Sequence, residues 1–92
     1  MDLLTEDEIA AQLAGLPGWA RTGGSIAATF TRADFRDSLL FVGMVGYLAE
    51  AAGHHPDVAI SWNKVTLTLS THSAGGLTGA DFALAGRISA LA

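Results

Sequence analysis

The sequence predicts a two-layer α+β domain: a four-stranded antiparallel sheet with three helices on one face, in the order α-β-β-α-β-β-α. Two observations carry this expectation. Two pairs of short runs alternate apolar with polar residues on either side of turn-forming sequences, as half-buried antiparallel strands do. Three segments open with a threonine followed three positions later by an acidic residue, the spacing of a capping box, and each continues with apolar residues at helical intervals.

The first helix start is Leu4-Thr5-Glu6-Asp7-Glu8-Ile9. An apolar residue precedes the threonine and another follows it by four, the spacing of a hydrophobic staple. This helix is expected to run to about residue 14, with Ile9, Leu13 and Leu16 on its apolar face and Gly15 and Pro17 ending it. The first hairpin follows: residues 19–22 and 25–31 flank Gly23-Gly24, a two-residue turn. Ile26, Ala28 and Phe30 alternate there with Ala27, Thr29 and Thr31.

Phe30-Thr31-Arg32-Ala33-Asp34-Phe35 repeats the capping pattern and predicts a long helix over residues 33–52. Its stripe reads Phe35, Leu39, Val42, Val45 and Ala49, widened by Phe41, Met44 and Leu48. Gly53 suits a left-handed C-cap and Pro56 blocks continuation. The second hairpin pairs residues 58–62 with 64–71 across a turn near Asn63; Val65, Leu67 and Leu69 alternate with Thr66, Thr68 and Ser70. Leu77-Thr78-Gly79-Ala80-Asp81-Phe82 is the third start and predicts a helix over residues 79–91, with Phe82, Ala85, Ile88 and Ala92 in one row.

Residues 1–92 make one domain, with no linker or low-complexity segment. Half of them are hydrophobic and 15% are charged, which excludes disorder and exceeds what a lone small domain ordinarily buries. A homo-oligomer is therefore expected. With no cysteine, disulfides and thiolate metal sites are excluded. The longest apolar stretch, residues 39–49, is too short to span a bilayer, and the start is acidic rather than signal-like. A cytoplasmic location is the resulting expectation. Net charge is -4, and the five basic residues are scattered, which speaks against direct nucleic-acid binding.

Chemistry concentrates between the long helix and the third one. Glu50-Ala51-Ala52-Gly53-His54-His55-Pro56-Asp57 lies where the helix ends and the second hairpin begins, and His72 lies just past the last strand. All three histidines of the chain thus fall at element ends, where loop residues on a rigid scaffold carry function. Imidazole, with a reference pKa of about 6.5, can give or take a proton near neutrality. Adjacent residues in extended backbone point apart, so His54 and His55 are expected to face different ways.

Glu50, then His54-His55-Pro56, then Trp62, His72 and Asp81, at these offsets, resemble the signature of the pterin-4a-carbinolamine dehydratase family. Asn63-Lys64-Val65 and Leu69-Ser70-Thr71-His72 are similar to family sequence as well, whereas outside residues 50–81 the likeness is looser. The resemblance implies the same sheet with three helices on one side, a homodimer or homotetramer, and dehydration of 4a-hydroxytetrahydropterin to quinonoid dihydropterin, without metal or bound cofactor. It implies His54, His55 and His72 as the catalytic trio. On that basis His54 and His72 are expected to form the acid–base pair, with His55 binding and orienting the ring. Pro56, Thr71 and Ser73 flank the histidines and would shape the pterin slot. Glu50 and Asp81 would orient imidazoles or bind the guanidine-like edge of the ring. Trp19 would stack near the substrate or serve the core, and Trp62 is expected to pack or to sit at an interface. Asp81 is also the capping-box acid of the third helix.

Three alternatives compete. Three histidines with Glu50 or Asp81 contain enough ligands for zinc, but no spacing such as His-x-x-x-His is present. A non-catalytic dimerisation or partner-binding module would use the same fold. A dehydratase-like protein acting on another pterin would keep the same pocket.

Overall fold

A computed structural model describes residues 2–92. The order is α1 (Glu6–Ala14), β1 (Ala20–Thr22), β2 (Ser25–Thr31), α2 (Phe35–Ala52), β3 (Asp57–Ser61), β4 (Lys64–Leu69), a single 3-10 turn (His72–Ala74) and α3 (Gly79–Leu91). The strands form one antiparallel sheet in the order β1-β2-β4-β3. The predicted order and architecture hold. No helix among the described residues is long and apolar enough to cross a membrane.

Two of the three expected capping boxes form. Thr5 accepts from the Glu8 N–H at 3.2 Å while Glu8 Oε1 accepts from the Thr5 N–H at 2.8 Å. Thr78 and Asp81 repeat the motif at α3. Each satisfies backbone donors that a helix start leaves without partners, typically worth about 1 kcal/mol.

The second helix departs from expectation. Thr31 does not cap it; Thr31 pairs with Lys64 as the last residue of β2. The Arg32 N–H then donates to the Asn63 carbonyl at 2.6 Å, so extended pairing outlasts the predicted start. The cap is Asp34, whose carboxylate accepts from the Asp37 N–H at 2.8 Å, and the helix begins at Phe35. Its buried face is also rotated from the predicted stripe. Ser38, Phe41, Val45 and Ala49 face the core, while Phe35 and Leu39 are each 50% exposed. Ser38 is tolerated inside because its hydroxyl reaches the Asp34 and Trp62 carbonyls, both at 2.9 Å.

The sheet supplies the other side of the core. Register pairs Ile26 with Leu69, Ala28 with Leu67 and Phe30 with Val65, which places these side chains on the helix-facing side. The intervening Thr29 and Thr66 pair on the opposite side, their hydroxyls 2.9 Å apart. Phe82, Leu84, Ala85 and Ile88 of α3 and Ile9 of α1 complete the cluster. Leu84 was not in the predicted row, and Ala92 lies beyond the helix and is exposed.

β4 stops at Leu69 rather than at Thr71. Its neighbour β2 begins at Ser25, one residue before the Leu69 partner Ile26, so the ladder has run out. Thr71 instead bridges to Gly76, closing a turn over residues 71–76. That turn carries His72.

Asp37 accepts from the Ala33 N–H at 3.0 Å and from Arg32, and these interactions hold its carboxyl below the usual carboxylate range. A group with lowered folded-state proton affinity adds stability above its unfolded value, and that stability is lost as pH falls through the folded value. Asp37→Asn is therefore expected to lower the urea midpoint at pH 7 and to match wild type once both are in strong acid, below the folded value.

Candidate active site

The site begins with the end of α2. Gly53 adopts a left-handed backbone (φ 62°), the conformation that terminates a helix without a Cβ penalty, and its N–H and that of His54 return to the last helical turn. The chain is thereby turned abruptly before His54, and β3 begins at Asp57. In the short segment between, the neighbouring imidazoles separate as alternation predicts. His54 turns inward, 15% exposed at its side chain, and His55 turns outward at 62%.

His54 Nε2 lies 2.5 Å from Asp81 Oδ1. Asp81 has no exposed surface. Its second oxygen accepts from the Thr71 hydroxyl at 2.8 Å and from the Thr78 N–H at 2.9 Å. Thr71 and Thr78 hydroxyls are themselves 2.8 Å apart. The carboxylate sits in the first turn of α3, where the aligned peptide dipoles favour negative charge. Asp81 is thus a helix cap on one oxygen and an imidazole partner on the other.

This arrangement determines a tautomer. A buried carboxylate accepts, so His54 Nε2 carries the hydrogen and donates it. The other ring nitrogen, Nδ1, has no hydrogen-bond partner among the described residues, and no buried side-chain nitrogen or oxygen there lacks one. Nδ1 is therefore not sealed from solvent, and it is the atom that bears the lone pair whenever the ring is neutral.

His55 Nε2 donates to Glu50 Oε2 at the surface, both side chains well exposed. His72 opens the 3-10 turn directly after Thr71 and is exposed. Ser73 follows it, exposed, and Pro56 is half-buried beside His55. The structure thus gathers His54, Asp81 and Thr71 into one bonded cluster, with His72 covalently next to Thr71 and the His55–Glu50 pair on its outer flank.

Trp19 stands apart from the cluster. It is 6% exposed, its indole N–H donates to Ser89 Oγ at 2.8 Å, and its ring meets Phe30 edge-on at 6.1 Å. Ser89 is eight residues along α3 from Asp81, about 12 Å at 1.5 Å per residue. Trp62 is 66% exposed at the β3–β4 turn with a left-handed backbone (φ 53°). A groove of 330 Å³ lies between the N-terminal segment and Gly75-Gly76, lined also by Arg21 and Glu6, which pair with each other; none of the histidines lines it. No group of three or more His, Asp or Glu side chains among the described residues is placed to hold a metal ion.

Sequence reasoning missed the contact between Thr71 and Thr78. Thr78 was legible as a cap and Thr71 as a flank of His72, but nothing in their spacing tells that the intervening turn folds back to join their hydroxyls.

Fold and site together define a two-layer α+β domain with a histidine–carboxylate cluster at the end of its sheet. The chain belongs to the pterin-4a-carbinolamine dehydratase family: the family model described as pterin 4 alpha carbinolamine dehydratase matches residues 2–91. A Roseiflexus castenholzii protein provisionally named a pterin-4-alpha-carbinolamine dehydratase is 56% identical over 86 residues, covering 94% of this chain and 92% of that one. A Chloroflexus aurantiacus protein with the same provisional name is 53% identical over 88 residues, covering 96% and 95%. Among solved structures, a Brucella melitensis protein described as a transcriptional coactivator/pterin dehydratase superposes with a TM-score of 0.93 at 34% identity, covering 97% of each chain. A pterin dehydratase-like protein described as a RuBisCO assembly factor in the alpha-carboxysome shares the fold at a TM-score of 0.64 and 23% identity, covering 79% of this chain and 84% of its own.

Replacing a charged acceptor that buries three donors costs stability as well as chemistry. Asp81→Asn is expected to lower unfolding free energy by roughly 2–3 kcal/mol, since hydrogen bonds to charged groups are the stronger class. Urea unfolding at neutral pH, compared with wild type at equal slope, checks this.

Proposed function

We propose that this chain is a cytoplasmic hydro-lyase that dehydrates 4a-hydroxytetrahydropterin to quinonoid dihydropterin by histidine general acid–base catalysis, serving tetrahydropterin recycling. The observation that carries this reading is His54, fixed through Nε2 on a buried carboxylate with Nδ1 left without a partner among the described residues.

The reaction breaks the C4a–O bond and forms a C4a–N5 double bond. One proton must reach the departing hydroxyl, which leaves as water, and one must leave N5. The nitrogen lone pair assists expulsion, so the protein needs only well-placed proton carriers. His54 Nδ1 takes the N5 proton. The resulting imidazolium carries its charge against Asp81, which stays ionised. His72, protonated, delivers a proton to the hydroxyl oxygen. When the product has left, exchange of protons with solvent restores both rings. His55, held by Glu50 on the flank, binds and orients the ring. Pro56 and Ser73 border the histidines and bound the pterin slot.

His54→Ala and His72→Ala are each expected to lower kcat/KM by roughly 10²–10⁴, the usual range for a general acid or base. His55→Ala is expected to act mainly on KM. Dehydration of enzymatically generated 4a-hydroxytetrahydropterin, followed as quinonoid product, measures all three. Wild-type activity retained in His54→Ala overturns the assignment; a biological role that survives replacement of both His54 and His72 by Ala favours partner binding by the same fold.

A homodimer or homotetramer completes the proposal. The outward face of α2 leaves Phe35, Leu39, Leu40, Met44 and Tyr47 between 44% and 77% exposed, an uncovered row of large apolar side chains of the kind that supports self-association. Light scattering at micromolar concentration is expected to give a mass at least twice that of the chain; a monomer mass overturns this part.

A further inference from the structure

The hydroxyl of Thr71 is committed inside the protein. Thr71 is 7% exposed, and its single proton goes to Asp81 Oδ2 at 2.8 Å. With that proton used, the 2.8 Å contact to Thr78 is donated by the Thr78 hydroxyl, which itself accepts from the Ala80 N–H at 3.3 Å. Oδ2 of Asp81 thus meets two donors, from the turn after β4 and from the cap of α3. A carboxylate is planar, so holding Oδ2 from two directions also aims Oδ1, and Oδ1 is the atom that meets His54.

The backbone of Thr71 performs a second task. Its N–H donates to the Gly76 carbonyl at 2.9 Å, and its carbonyl accepts from Ala74 and Gly75 at 3.0 Å. These bonds close the neck of the turn that carries His72. The turn is braced from outside: a Cβ on Gly24 would lie 3.3 Å from the Gly76 Cα. One residue therefore ties the His72 turn, through its main chain, to the His54–Asp81 pair, through its side chain.

We propose that Thr71 is a positioning residue of the site rather than a substrate contact: its hydroxyl, backed by Thr78, aims the Asp81 carboxylate so that His54 keeps its hydrogen on Nε2 and its lone pair on Nδ1. The proposal rests on the reading of His54 as proton acceptor. Without the Thr71 hydroxyl, Asp81 loses one of its three donors and can turn, and the imidazole is free to hold its hydrogen on either nitrogen.

The test is the tautomer of His54, read from ring nitrogen shifts in long-range proton–nitrogen spectra of the full 15N-labelled chain in alkaline buffer. Wild type and Thr71→Ser are expected to show the Nε2–H form alone. Thr71→Val and Thr71→Ala are expected to show both forms. Their kcat/KM for dehydration should fall at least about tenfold, the scale at which partners one bond removed from a reacting group act, while KM moves less than twofold. Thr71→Ser and Thr71→Ala lose the same methyl group and differ only in the hydroxyl, so this pair decides the matter if Thr71→Val does not fold. A wild-type His54 carrying its hydrogen on Nδ1 overturns the proposal without any variant, as does an unchanged tautomer in Thr71→Ala or an equal loss in Thr71→Ser. If wild type dehydrates no pterin, the functional reading falls, and the tautomer comparison still decides the role of Thr71.

Discussion

A carboxylate with no exposed surface is among the costliest groups a small domain can carry, unless its lone pairs meet donors. Asp81 is such a group, and the local structure answers it from three elements. The cap of α3 supplies the Thr78 N–H, the turn after β4 supplies the Thr71 hydroxyl, and the segment after α2 supplies His54. Removing any one would leave charge buried and under-satisfied, a penalty larger than an ordinary hydrogen bond is worth. The positions of these three elements are therefore coupled: α3 cannot start elsewhere, nor can β4 run on, without stranding Asp81.

The same coupling explains why a domain of this size can present a defined chemical edge. Loop residues are usually the mobile part of a fold. Here the segments bearing His54 and His72 are short and closed at both ends. The first is bounded by the left-handed Gly53 and by the pairing of Asp57 with Thr68. The second is bounded by the Thr71–Gly76 bridge. Backbone ordering, which costs about 1–2 kcal/mol per residue, is met by the caps and ladders that the fold requires in any case. The site adds few ordering costs of its own.

What could be read from the sequence follows from which signals are local. The turns of both hairpins, the caps at Thr5 and Thr78, and the stop at Gly53 depend on residues within a few positions of one another, and each is found where the spacing put it, although the strands end up to two residues from their expected bounds. The cap at Thr31 failed because a competing interaction is non-local: Thr31 is claimed by Lys64 across the sheet, and Asp34 takes the cap. The face of α2 failed for another reason. Its residues are apolar nearly all round, so periodicity does not single out one side, and a serine occupies the core because carbonyls from Asp34 and Trp62 happen to reach it. In the site, the opposed directions of His54 and His55 were legible from backbone alternation. Of the two uses of Asp81, the cap was legible from spacing, whereas the imidazole contact was expected only through the family resemblance and without naming which histidine. Its bond to His54 spans 27 residues and joins elements whose relative placement only the packed core determines.

The two neighbouring histidines illustrate how much environment, rather than residue type, assigns a role. Each faces a carboxylate, His54 that of Asp81 and His55 that of Glu50. The His55–Glu50 pair stands in water, where an ion pair or hydrogen bond between long exposed side chains contributes little and is screened by salt. The His54–Asp81 pair is shielded on the carboxylate side, where the effective dielectric is lower and each interaction counts for more. A proton arriving at Nδ1 therefore meets a counter-charge that is already oriented, and little has to reorganise to receive it. The pattern His-His-Pro places next to each other a ring held on a buried carboxylate and a ring paired with an exposed one. The backbone reversal at Gly53 ends the helix before them, and alternation along the extended segment sends them to opposite sides.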